Sequence, residues 1–86
     1  MNKDSAAILD AIAGLIAEVD EDKAGIAPAD LSGKVLTTDV GLDSLDVIKF
    51  VLLIEERFGL KIPDADIDSR DLLAVDKLVA YLAERL

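Results

Sequence analysis

The chain contains neither cysteine nor histidine. Without cysteine there are no disulfides and no thiolate metal sites. Without histidine, the commonest general base and the commonest nitrogen ligand for metals are both gone. A self-sufficient hydrolase or redox enzyme is hard to assemble from what remains, so no catalytic residues are assigned and no metal site is expected. Tryptophan is absent too, and aromatic residues make up only 3% of a chain that is 52% hydrophobic. Ala, Leu, Ile and Val must therefore build the core, which suits a small helical bundle better than a sheet. Cations are scarce: nine Lys and Arg face eighteen Asp and Glu, for a net charge of −9. That balance argues against binding nucleic acid and favours basic protein partners reached by electrostatic steering, although plain solubility accounts for it equally well. No run approaches the roughly 20 apolar residues of a membrane span, so no stable membrane insertion is expected. Lys3 is followed by Asp4 and Asp10, which interrupt any secretory apolar region. A soluble, cytoplasmic monomer is the expectation, with residues 1–86 forming one domain near the lower size for an unstapled core.

What is present is helical periodicity. Ile8, Ile12, Leu15, Ile16 and Val19 recur on one face, predicting a first helix capped by Asp4 or Ser5 and ending near Val19. The acidic cluster Glu18-Asp20-Glu21-Asp22 suits the start of a solvated loop better than a helix C-terminus. From Asp20 to Asp43 no long periodic segment appears. Pro28 can open a helical turn there, with Leu31, Val35, Leu36 and Val40 as candidates to pin the long loop to the core. A second helix is predicted over Ser44 to Phe58, closed by Gly59 as a left-handed cap with Leu60 beside it. Ile62 precedes a proline and must be extended; Asp64 can then cap a short helix through Ile67. A last helix is predicted from about Asp71 or Leu72, with Leu72, Val75, Leu78, Val79, Leu82 and Leu86 as its stripe. The alternation Asp64, Asp66, Asp68 is reminiscent of a calcium loop. Its sixth and twelfth positions hold Ser69 and Val75 where glycine and glutamate are required, so that reading fails.

Everything else is arranged around Gly41-Leu42-Asp43-Ser44-Leu45-Asp46. Gly41 can take the positive φ of a sharp entry. The Asp43 carboxylate can accept from the backbone N–H groups of Leu45 and Asp46. Ser44 then lies at the first helical position, where donors are unpaired and the dipole is positive. An anionic group on that hydroxyl, such as a phosphodiester, is favoured there. Along the second helix, Val47, Phe50, Val51, Ile54 and Phe58 form a core face, while Leu45, Ile48, Lys49, Leu52 and Glu56 fall on or beside the opposite arc. Either the helix is buried all round or its outer face is a partner-binding strip with a charged rim. The charges at Asp46, Lys49, Glu55, Glu56 and Arg57 favour the strip.

An isolated Asp-Ser-Leu would be an ordinary capped helix start. Together with the helix behind it, Glu55-Glu56-Arg57-Phe58-Gly59 and Ile62-Pro63-Asp64, the stretch resembles an acyl carrier protein. The likeness is densest over residues 36–64 and looser through Val75 and Tyr81-Leu82. It implies an all-α four-helix bundle of three long helices and one short, with a long first loop. It further implies a 4′-phosphopantetheine arm on Ser44, attached by a carrier protein (phosphopantetheinyl) transferase, with Asp43 as the flanking acid. The arm's thiol would carry acyl intermediates as thioesters for fatty-acid, specialised lipid or polyketide synthesis, and the helices could part to shelter an aliphatic chain. The partners implied are acyl-loading, condensing and acyl-transfer enzymes, reading Leu45, Asp46, Ile48, Lys49, Leu52, Glu55 and Glu56. An aminoacyl or peptidyl carrier, or an unmodified helical interaction module on the same fold, are the alternatives.

Two departures from the family pattern bear on which carrier this resembles. Fatty-acid carriers have acidic residues where Lys49 and Arg57 stand, and the segment from Asp64 to Tyr81 is longer here. Both suggest a specialised member. Asp46 and the Ile62-Pro63-Asp64 segment, by resemblance, lean toward acyl rather than aminoacyl cargo.

Overall fold

A computed structural model describes residues 4–86; Lys3, with its part in the interrupted secretory pattern, lies outside the described residues. Four α-helices succeed one another: α1 (Ser5–Val19), α2 (Ser44–Phe58), α3 (Asp64–Ser69) and α4 (Val75–Arg85). Two 3-10 turns, Glu21–Lys23 and Pro28–Leu31, punctuate the long loop between α1 and α2. The all-α bundle of three long helices and one short is the architecture that the resemblance to acyl carrier proteins implies.

The helix α1 is the hub, packing against α2, α4 and the Pro28–Leu31 turn. Asp4 caps it, accepting from the Ala6 N–H at 3.1 Å. Its apolar stripe goes inward as expected: Ile8, Ile12, Leu15 and Ile16 are buried, joined by Ala11, while Val19 is half-buried. The core is aliphatic apart from Phe50, Phe58 and Tyr81.

The long loop is held more firmly than apolar pinning alone requires. Leu31 and Leu36 are buried, and the backbone joins distant segments. Leu36 N–H donates to Leu73 O at 2.8 Å, and Val75 N–H donates to Lys34 O at 2.9 Å. The Asp76 carboxylate accepts from Gly33 N–H at 3.1 Å and from the Ser32 hydroxyl at 3.4 Å. These bonds explain why α4 starts at Val75 and not at Asp71 or Leu72. The segment before it is a turn in which Asp71 takes a left-handed φ of 55° and Ala74 bridges to Val35. Leu72 keeps its place in the core from that turn. The short helix α3 also differs in detail: Pro63 occupies the cap position, Asp64 is helical with no capping hydrogen bond, and the helix runs on to Ser69.

Candidate functional site

The turn into α2 is built as its sequence requires. Gly41 has a φ of 91°, and the end of the Lys23 side chain lies 3.7 Å from where a β-carbon would stand. Leu42 is buried and its N–H donates to Leu36 O at 3.0 Å, tying the turn to the loop. Asp43 is the N-cap. Its Oδ1 accepts from Asp46 N–H at 2.8 Å, and Asp46 Oδ2 accepts from Asp43 N–H at 3.3 Å. This reciprocal pair is a capping box, and it takes up the N–H of Asp46, not that of Leu45 as well. Ser44 is the first helical residue and is exposed. Its N–H and that of Leu45 lie in the first turn, where no intrahelical acceptor exists.

The start of α1 is nearly a copy, with Asp4 as cap and Ser5 at the first position. The two helices differ in the residues after the serine. Leu45, Ile48 and Leu52 are 68%, 57% and 58% exposed, and among the described residues they are the large hydrophobic side chains left on the surface. Phe50, Ile54 and Phe58 on the other side of α2 are buried. So α2 is apolar on two faces, one packed and one open, and it is not buried all round. Such a strip beside an exposed hydroxyl has no counterpart on α1.

The charges around the strip divide into two kinds. Asp46 is committed to the capping box. Glu55 is half-buried, and its Oε2 accepts from Ile62 N–H at 2.7 Å, fastening the extended Lys61-Ile62-Pro63 segment to the end of α2. Glu55 thus has a structural task beyond the recognition role expected for it. Lys49, Glu56 and Arg57 are exposed, and the ion pairs found among the described residues, Lys23–Asp20, Lys77–Asp71 and Arg85–Glu84, involve none of them.

Beneath α2 lies a small apolar cavity of about 10 Å³, lined by Phe50, Val51, Ile54, Ile67, Leu72 and Leu78 among others. Near it is a cluster that the sequence reading missed. The buried Tyr81 hydroxyl donates to Asp66 Oδ2 at 2.8 Å. The Arg85 guanidinium lies 3.5 Å from the ring centroid, and that of Arg70 lies 5.8 Å away. Arg85 also donates to the Tyr81 carbonyl at 3.2 Å. The spacing of Tyr81 and Arg85, four apart on one helix, was the available signal. Asp66, one of the aspartates in the calcium-like alternation, is instead the acceptor for this tyrosine. Among the described residues no three metal-binding side chains come together.

Burial, and then the hydrogen bond to Asp66, raise the Tyr81 hydroxyl above its ordinary value of 10.0. The folded state therefore favours the neutral phenol. That contribution to stability is fully present below about pH 10 and is lost as pH rises through the folded value. Denaturant melts should begin to lose stability above about pH 10, and Tyr81→Phe should blunt the loss. A fall equally steep in the phenylalanine variant would trace it to other groups.

The model of the phosphopantetheine attachment site family matches residues 10–82. The chain belongs to the acyl carrier protein family. It is 38% identical over 72 residues to the meromycolate extension acyl carrier protein of Mycolicibacterium smegmatis, covering 83% of this chain and 70% of that one. The Mycobacterium tuberculosis protein of the same name is 38% identical over 72 residues, 83% of this chain and 60% of the relative. The mitochondrial acyl carrier protein of Neurospora crassa is 50% identical over 44 residues, 51% of this carrier and 31% of the fungal protein. The carrier thus spans from 31% to 70% of the length of these relatives. No solved structure matches it. No helix among the described residues is long and apolar enough to cross a membrane.

Proposed function

We propose that the chain is an acyl carrier whose 4′-phosphopantetheine arm is esterified to Ser44. The observation that carries the reading is the exposed Ser44 at the Asp43-capped start of α2, one residue before the exposed Leu45–Ile48–Leu52 strip. Two first-turn N–H groups and the positive end of the helix dipole favour a phosphodiester on that oxygen. When attached, the arm supplies a thiol that holds acyl groups as thioesters, chemistry this cysteine-free chain has no group of its own to provide. Asp43 holds the turn in shape, and Leu45, Ile48 and Leu52 give partner enzymes an apolar footing with Asp46, Lys49 and Glu56 around it. In this reading the chain is a substrate of other enzymes: a phosphopantetheinyl transferase, then acyl-loading, condensing and acyl-transfer enzymes. Ser5, the serine in a matching helix position, lies outside the residues that the family model covers, whereas Ser44 lies within them. The names of the mycobacterial relatives support an aliphatic cargo over an aminoacyl one.

The test uses coenzyme A, magnesium and a broad-specificity carrier transferase, followed by mass spectrometry of the intact protein. One phosphopantetheine should be gained, together with one titratable thiol. No gain with several transferases would turn the reading to an unmodified interaction module.

Lys49 and Arg57 make the docking face mixed. If a housekeeping fatty-acid condensing enzyme presents cations to an acidic helix, each of these two residues exchanges an attraction for a repulsion. Exposed pairs contribute up to about 1 kcal/mol each, so two reversals weaken docking by roughly tenfold or more. The double change Lys49→Glu, Arg57→Glu should therefore speed acyl transfer to that enzyme, most clearly at low salt. A wild type that already serves it well, with no gain in the double variant, would make this an ordinary fatty-acid carrier.

A further inference from the structure

The helix α3 is the loosest wall of the apolar cavity. It is six residues long and has no fully buried side chain. Its contribution to the lining is the half-buried Ile67, while Phe50, Ile54 and Leu78, also in the lining, are buried on the long helices. Both ends of α3 are anchored. On one side Ile62 is buried with its N–H on Glu55; on the other Leu72 is buried in the core. Between these anchors the fastening is the 2.8 Å hydrogen bond from Tyr81 to Asp66, with the tyrosine ring held under Arg85. At about 10 Å³ the cavity is at the lower limit for a single water. An aliphatic chain enters only if a wall moves, and the wall with least to lose is α3.

We propose that the Tyr81–Asp66 pair is a latch that holds α3 against α4 and sets how readily an aliphatic acyl chain enters the cavity beneath α2. The assignment of a chain as ligand rests on the proposed carrier function; the latch itself does not. As α3 swings outward, the hydroxyl and the carboxylate part and water takes both. A hydrogen bond to a charged acceptor biases such an equilibrium by roughly 10- to 150-fold. The latch therefore keeps the cavity shut around short cargo and yields when a longer chain has enough apolar surface to bury.

Native-state amide exchange on the unmodified full chain tests the latch. In Tyr81→Phe the amides of Arg70 and Leu72, which donate to Asp66 O and Ile67 O, should exchange roughly tenfold or more faster. Those in the middle of α1 should keep their protection. Asp66→Asn leaves an acceptor for the hydroxyl and should fall between wild type and Tyr81→Phe. Unchanged exchange at Arg70 and Leu72, or a uniform rise along α1, α2 and α4, would overturn the latch. The second arm loads octanoyl and acetyl groups and monitors hydroxylamine cleavage of the thioester. Octanoyl cleavage should be slower in Tyr81→Phe than in wild type, with acetyl cleavage the same in both. Faster α3 exchange without that octanoyl difference would overturn the gating of cargo. A protein that accepts no arm at all would refute the carrier reading and leave the exchange result to decide the latch.

Discussion

Ser44→Ala should abolish attachment of the phosphopantetheine arm while leaving the fold intact. The loss is all-or-none because no other atom can replace the hydroxyl oxygen that bonds the phosphorus. The fold should survive because the cap belongs to Asp43, not to Ser44: the two capping hydrogen bonds join Asp43 and Asp46. Alanine is the best helix former, and an exposed substitution of this kind stays within about 0.5 kcal/mol. Circular dichroism and melting should match the wild type, and the mass after transferase treatment should be that of the apo-protein. The other serines lie in different settings. Ser69 ends α3, where the dipole is negative, and the Ser32 hydroxyl is bonded to Asp76. Ser5 has the right helix position but no apolar strip beside it. Mass gain in the alanine variant would point to one of these, and Ser5 would be the first to replace.

Phe50→Ala should have the largest effect on stability. Among the described residues Phe50 is the largest fully buried side chain, on the face of α2 away from the exposed strip. Truncating a buried phenylalanine costs about 3–5 kcal/mol, in part for the void left behind. A chain of this length has roughly 4–13 kcal/mol of stability in all. The cavity beside Phe50 would grow instead of collapsing, because Ile54 and Leu78 are themselves fixed against the core. The melting temperature should fall by on the order of 15–30 °C, or the variant should be unfolded outright. Leu52→Ala, on the open face of the same helix, should stay within about 0.5 kcal/mol and impair partner reactions instead. A loss below about 1 kcal/mol at Phe50 would contradict its close packing in the core.

The contrast between α2 and α4 shows what the sequence makes legible. Both ends of α2 carry local chemistry, Asp43 with Asp46 at the start and Gly59 at the finish, and both were readable within a residue. The two-faced apolar pattern was equally plain, and the charges at Asp46, Lys49, Glu55, Glu56 and Arg57 weighed for an open outer face over burial all round, as Leu45, Ile48 and Leu52 show. The start of α4 was misread because Leu72 continues its apolar stripe at helical spacing. What breaks the helix there is long-range: Leu36 and Lys34 bond the backbone at Leu73 and Val75, and no window of neighbouring residues reports that. Glu55 illustrates the same limit on the functional side. The sequence suggested recognition for this charge and gave no sign that it also accepts from a backbone N–H seven residues on, past the end of the helix. The Tyr81–Asp66 pair was invisible for the same reason.

Ser44 and the apolar strip share one helix, and that placement governs how strongly a partner must bind. On the proposed function, an enzyme seated on Leu45, Ile48 and Leu52 would find the root of the arm already positioned, so capture of the cargo would become intramolecular. Short flexible tethers present their ends at millimolar effective concentrations. The same enzyme offered its acyl group on free pantetheine would need about that much substrate in solution to keep pace. With the tether supplying concentration, the strip can be small and its grip brief. On the same proposal, three exposed side chains would suffice for a carrier that must leave each enzyme in time to reach the next.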